Sequence, residues 1–211
     1  MSKIKDIMKN TGYSFERFYS KAKEEIFSQG GPFIPVVSNA INDVPELKNE
    51  DFEKTSKSLY GKIDNWNTLK VIQSKLPLGK PIKTINVSAP FGNRFDPFNG
   101  EISLHEGIDL VEKEGEKVKI TSPGKITYSG KMGFYGIMVE VDHGNQIKTR
   151  YAHLKTALVK KGDKVNEGDV IGEVGNTGRS TGAHLHYEVR LNGYPVNPYQ
   201  FIKVKKDVFK E

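Results

Sequence analysis

Four of the five histidines in the chain fall in three short stretches of its C-terminal half: His105-Glu-Gly-Ile-Asp109, Tyr151-Ala-His153-Leu154 and His184-Leu-His186. Imidazole is the commonest metal-binding side chain and the one that titrates nearest neutral pH, so it serves as ligand, acid or base. Gathered with one aspartate in a chain that has no cysteine, these groups point to a metal held by nitrogen and oxygen and used for hydrolysis.

The spacing within each stretch says how it must be positioned. In Ala183-His-Leu-His-Tyr-Glu-Val-Arg-Leu191 apolar residues alternate with polar ones, the period of a half-buried strand. His184 and His186 then share the polar face about 7 Å apart, so one can bind a metal while the other stands beside it. His105 and Asp109 are four residues apart, which on a flat strand would separate them by about 13 Å. Gly107 argues against a regular helix, so the sequence predicts a bend at Glu106-Gly107 that turns both side chains onto one ion. With His186 they supply two imidazoles and one carboxylate, the composition of a catalytic zinc site that keeps a position open for water or substrate. His153 follows an alternating stretch, Gln146 to Tyr151, and lies at a strand end that can reach a groove. His143 precedes Gly144-Asn145, a turn signal, and reads as structural.

The elements around these motifs divide into two textures. Ser14 precedes a helical pattern of Phe15, Phe18, Tyr19, Ala22 and Ile26, ended by Gly30-Gly31-Pro32. A loop is expected from Pro32 to Glu50, and a second helix from near Asp51 carries Leu59, Tyr60, Ile63, Trp66 and Leu69 as far as Pro77. From about Ile82 the runs become short, β-rich and punctuated by glycine. The fold class expected is therefore α+β, mainly antiparallel β, with a helical region over 1–80, a β domain over 81–203 and a tail over 204–211. A faint internal echo, Gly115-Glu-Lys-Val118 with Ser122-Pro-Gly-Lys-Ile126 against Gly162-Asp-Lys-Val165 with Glu167-Gly-Asp-Val-Ile171, suggests two stacked hairpin units.

Length and composition bound the partners. A chain of 211 residues with 36% hydrophobic residues can form one ordinary domain and a smaller appendage. Its net charge of +6 is shared almost evenly between the two halves, so neither is a basic arm and no nucleic-acid partner is expected. No run of about 18 apolar residues occurs, so no transmembrane segment is expected in this chain.

In order, the motifs from about Ser88 to Phe201 resemble the zinc metallopeptidases of the lysostaphin and LytM type, the M23 peptidoglycan endopeptidases. The resemblance rests on Phe91-Gly-Asn-Arg94-Phe-Asp-Pro97, His105-x-x-x-Asp109, His143-Gly-Asn145, Tyr151-x-His153-Leu154, Gly172-x-x-Gly175-x-Thr177-Gly178 with Ser180-Thr-Gly182, His184-x-His186 and Asn197-Pro198. It implies that His105, Asp109 and His186 bind Zn2+ while His153 and His184 form an unliganded catalytic pair. Which of the two is the base stays open, and Tyr151 either assists or packs. All five positions are filled, which implies an active enzyme. The substrate implied is the peptide stem of peptidoglycan, with the D-Ala to diaminopimelate cross-link favoured over glycine bridges because no wall-targeting module is seen. A cell-envelope location follows, with the export or anchor segment absent from this chain, and a regulatory envelope protein as a further partner. An inactive envelope scaffold is the main alternative. A biotinyl- or lipoyl-type carrier would leave the histidines unexplained and lacks the modified-lysine turn.

Overall fold

The computed structural model describes residues 5–6, 9, 14–28, 50–97 and 99–204. They belong to two compact units: Phe15–Gln73, and Met1–Ser14 with Ser74–Glu211. Among the described residues no helix is long and apolar enough to cross a membrane.

The smaller unit is helical. Helix α1 (Phe15–Ser28) buries Phe15, Phe18 and Ala22, spaced as one stripe of a 3.6-residue period. Helix α2 (Glu50–Lys75) buries Thr68 and Ile72, four residues apart. Tyr19 of α1 donates a hydrogen bond of 2.5 Å to Oδ1 of Asn65. Leu59, Tyr60, Ile63 and Trp66, which the sequence groups as the apolar positions of the second helix, are instead 45–56% exposed. The predicted Gly30-Gly31-Pro32 stop, the 32–49 loop, the Ile26 side chain and the tail beyond 204 lie outside the described residues.

The larger unit is built from twelve strands: β1 (Val87–Ala89), β2 (Gly92–Phe95), β3 (Ile102–His105), β4 (Ile108–Val111), β5 (Lys117–Lys119), β6 (Gly124–Lys131), β7 (Ile137–Asp142), β8 (Ile147–Ala157), β9 (Lys164–Val165), β10 (Val170–Val174), β11 (His184–Leu191) and β12 (Tyr194–Val196), followed by the short helix α3 (Tyr199–Ile202). The main sheet runs β1-β4-β11-β8-β7-β6-β9, with β10 joining β5 to β8, β12 flanking β11, and β2 and β3 forming a separate hairpin. β11 lies between β4 and β8, so its backbone is paired on both edges, and most of its side chains are buried. Leu185, Tyr187, Val189 and Leu191 fill the core side as the alternation requires, joined by Ile108, Leu110, Tyr151 and Leu154.

The internal echo is real, but its units are not stacked hairpins. β6, which begins within the first echo, pairs with β9 of the second, while β10, which begins within the second, pairs with β5 of the first. The exchange is reciprocal down to the turns: Gly162 N–H donates to Ile126 O and Gly168 N–H to Ile120 O. Each echo thus closes the other, a long-range pairing that local repeat spacing does not reveal.

The chain ahead of β1 belongs to this unit as well. Leu76, Leu78 and Ile82 are at most 3% exposed, Ser122 Oγ donates to Ser74 O at 2.8 Å, and Lys119 N–H to Pro81 O at 2.8 Å. A fragment of residues 74–204 is therefore expected to fold, whereas one starting at 81 forfeits two buried leucines, each contributing about 1.5–3 kcal/mol. Denaturant melts of the two fragments check this; equal stabilities would show that Leu76 and Leu78 are dispensable.

Candidate metal centre

Register brings the candidate ligands together. His186 on β11 lies directly across from Asp109 on β4, and directly opposed residues of an antiparallel pair have neighbouring side chains. The bend predicted at Glu106-Gly107 is the gap between β3 and β4, and it returns His105 to the same point. Gly107 also has a second reason to be glycine: a Cβ there would meet Tyr187 O at 2.5 Å and His186 Cε1 at 2.8 Å. Only a residue without a side chain lets the His186 ring seat so closely.

The resulting triangle is tight. Asp109 Oδ1 lies 2.8 Å from His186 Nδ1 and 3.1 Å from His105 Nε2, and the two nitrogens are 3.1 Å apart. All three residues are buried and can offer ligand atoms to one ion. A tetrahedral ion with bonds of about 2.0–2.2 Å holds its ligand atoms roughly 3.3–3.6 Å apart, so the donor set fits zinc with shifts of tenths of an ångström. Each imidazole is also fixed from behind in the tautomer a ligand needs. His105 donates its Nδ1–H to Pro90 O at 2.8 Å, so Nε2 is the nitrogen turned to the triangle. His186 donates its Nε2–H to Glu188 Oε1 at 3.1 Å, so Nδ1 is the nitrogen turned to the triangle.

The charges agree with a cation-binding centre. Burial opposes ionisation of Asp109, yet hydrogen bonds from His105 and His186 hold it well below the usual carboxylate range. Burial likewise opposes the charged form of His186, but Asp109 and Glu188 raise it to about 9, so without metal the triangle retains a proton that a metal would replace.

His153 and His184 face each other beside this triangle, ring centroids 4.8 Å apart. β8 pairs with β11 through Ala152 and with β10 from Leu154 onward. At the change-over His153 takes a left-handed φ of 59°, a sparsely populated conformation for a residue with a side chain. Its Nδ1–H donates to Thr177 O at 2.8 Å, and Thr177 is itself held by Leu154 O and Ile137 N. His184 Nδ1–H donates to Gly182 O at 2.7 Å, and its Nε2 lies 3.6 Å from Asp109 Oδ1. Both rings therefore turn a bare Nε2 away from their backbone acceptors. Burial, then the nearby His186 and His184, lowers His153 to about 4, so it is neutral at neutral pH and able to accept a proton. These residues line one groove of about 350 Å³ with Arg94, Asp96, Phe134, Tyr135 and Arg179.

Two further candidates lie elsewhere. His143 is buried with Nδ1 on Pro123 O and Nε2 on Thr149 Oγ1, both at 2.8 Å. Tyr151 is fully buried, its hydroxyl bonded to Thr121 and Thr149, so packing is its role and not assistance in the groove.

The same alternation that groups His184 with His186 puts Glu188 on their face. It is fully buried and accepts from His186, from Tyr135 Oη at 2.7 Å and from Arg190 Nη1 at 2.6 Å. Burial opposes its charge, but these donors keep it below its ordinary value. Glu188→Ala removes the acceptor behind a ligand and is expected to weaken zinc binding about 10–100-fold. Chelator competition measures this; unchanged affinity would make Glu188 a packing residue only.

Known proteins resemble this chain over much of its β unit. The description of peptidase family M23 matches residues 103–198. A DD-carboxypeptidase/endopeptidase, Mpg, of Neisseria meningitidis serogroup B is 45% identical over 130 residues, covering 61% of this chain but only 30% of that protein. The chain thus spans less than a third of the length of that curated relative. Among solved structures, a zinc containing peptidase from Vibrio cholerae is similar with TM-score 0.55 and 33% identity, over 62% of this chain and 40% of that one. The catalytic domain of the antimicrobial peptidase lysostaphin from Staphylococcus simulans is similar with TM-score 0.52 and 30% identity, over 57% of this chain and 93% of that domain. With nearly the whole of a catalytic domain matched, and the histidine-bearing strands inside the matched residues, the chain belongs to peptidase family M23.

Proposed function

We propose that the chain is a zinc-dependent endopeptidase hydrolysing peptide cross-links of bacterial peptidoglycan, the D-Ala to diaminopimelate bond in particular. The observation that carries this reading is the convergence of His105 Nε2, Asp109 Oδ1 and His186 Nδ1 to within 3.1 Å of one another, beside an imidazole pair with its own fixed tautomers. Similarity to a Neisseria protein named for DD-carboxypeptidase and endopeptidase activity supports the bond class.

Zinc, held by His105, Asp109 and His186, would supply an acidified water and an electrophile for the scissile carbonyl. The chain's own residues do the rest. His153, neutral and anchored by Thr177, takes a proton at Nε2 and delivers it to the departing amine. His184, anchored by Gly182, offers a second Nε2 from which a protonated ring can hold developing negative charge. Glu188 keeps the His186 ring oriented throughout. Such a substrate places the chain in the cell envelope, where a regulatory envelope protein would control access to the groove.

Digestion of purified diaminopimelate-type peptidoglycan, with mass analysis of the released peptides, tests the reading. The expected result is loss of cross-linked dimers and gain of monomers ending in D-Ala, abolished by chelator and restored by zinc. Zinc-loaded protein that binds this material and releases nothing would support the inactive scaffold.

A further inference from the structure

Of the two guanidiniums that line the groove, Arg94 is held more loosely by its neighbours than Arg179. Arg94 lies across from Ser103 on the β2–β3 hairpin, and both line the groove beside His105. Its Nη2 stands 3.4 Å from Oδ2 of Asp109, the oxygen that is not in the metal triangle. That is long for a charge-assisted bond, which closes to about 2.7–2.9 Å, and a guanidinium has five donors to place. The other arginines near the groove are held harder: Arg179 by Asp96 at 2.6 Å, Arg190 by Glu188 and Glu106 at 2.6 and 2.8 Å, and Arg150 by Glu140 at 2.8 Å. With its side chain 33% exposed, Arg94 presents a planar fork suited to a carboxylate, next to the atoms that cut.

The chemistry of the proposed substrate supplies one. In a D-Ala to diaminopimelate cross-link, the carbon bonded to the scissile nitrogen also bears a free carboxylate. At the same position inside a glycine bridge there is an uncharged amide. We propose that Arg94 grips the carboxylate on the amine side of the scissile bond and makes the groove selective for bonds that have one. This rests on the peptidase reading above and adds to it the feature by which the bond is recognised. A site built to pair a charged group rejects the analogue lacking it, because the desolvated partner is left unpaired.

The test uses two cross-linked muropeptides that differ only in whether this carboxylate is free or a carboxamide. For the zinc-loaded protein the ratio of kcat/KM, free acid over amide, is expected to be on the order of 100. In Arg94→Ala it should collapse toward one, and in Arg94→Lys, which keeps the charge but loses the fork, it should fall between. Binding gives a second readout: calorimetry on His153→Ala, with and without Arg94→Ala, should show tighter binding of the free acid only where Arg94 is present. A wild-type ratio near one, or the same large ratio in wild type and Arg94→Ala, overturns the assignment of Arg94 while leaving the peptidase reading intact. Wild-type protein that cuts neither peptide overturns the peptidase reading and the proposal with it.

Discussion

Replacing His153 by alanine is expected to lower cross-link cleavage by at least ~100-fold, the lower end of what a positioned acid or base contributes, while zinc content stays near one per chain. The separation follows from the geometry. His153 Nδ1 is tied to Thr177 O and its ring stands 5.7 Å from that of His186, so it is a neighbour of the triangle and outside it. His184→Ala should behave alike, since its Nε2 is 3.6 Å from Asp109 Oδ1, beyond the 2.8–3.1 Å spacing of the triangle. Cleavage rates on purified muropeptide dimers, with elemental analysis of the same samples, check both variants. Wild-type rates in both would remove the pair from the chemistry, and loss of zinc in either would make it a ligand.

Asp109→Ala should do the opposite and lose both metal and activity. Its Oδ1 contacts both proposed ligand imidazoles, and its charge favours the charged form of His186. Removing an inner ligand should cost more than the 10–100-fold in affinity typical of an outer partner. Elemental analysis of protein purified without chelator would then give far less than one equivalent of zinc. Full zinc in this variant would place the metal elsewhere. Asp109→Asn is the sterner form of the same test, because it keeps the shape and removes only the charge.

How much of this was legible in the sequence depends on the range of the contact. The strand carrying His184 and His186 could be read from alternation alone, because period two is a local property of the chain. The bend between His105 and Asp109 could be inferred from Gly107, but the reason Gly107 must lack a side chain, the His186 ring packed against it, required the pairing of β4 with β11. Glu188 shares that alternating face, but its part, holding the His186 ring from behind, depends on the pairing that buries it. The strained backbone at His153 and the anchoring of its ring by Thr177 follow from strand β8 changing partners midway, which no local pattern announces. The two echo units looked like stacked hairpins for the same reason: spacing shows a repeat but not which strand each copy pairs with. On α2 the apolar grouping of Leu59, Tyr60, Ile63 and Trp66 pointed to the helix, while the burial falls on Thr68 and Ile72. Helical periodicity identifies a face and leaves open whether anything covers it.

The central claim is that three side chains from β3, β4 and β11 make one zinc site at the floor of the groove. Crystals of the protein grown with zinc, measured on both sides of the zinc absorption edge, test it directly. The account predicts one strong anomalous peak about 2.0–2.2 Å from His105 Nε2, Asp109 Oδ1 and His186 Nδ1, with the rings of His153 and His184 outside bonding distance. A peak coordinated by His153 or His184, or full zinc occupancy at a site that excludes Asp109, would contradict it.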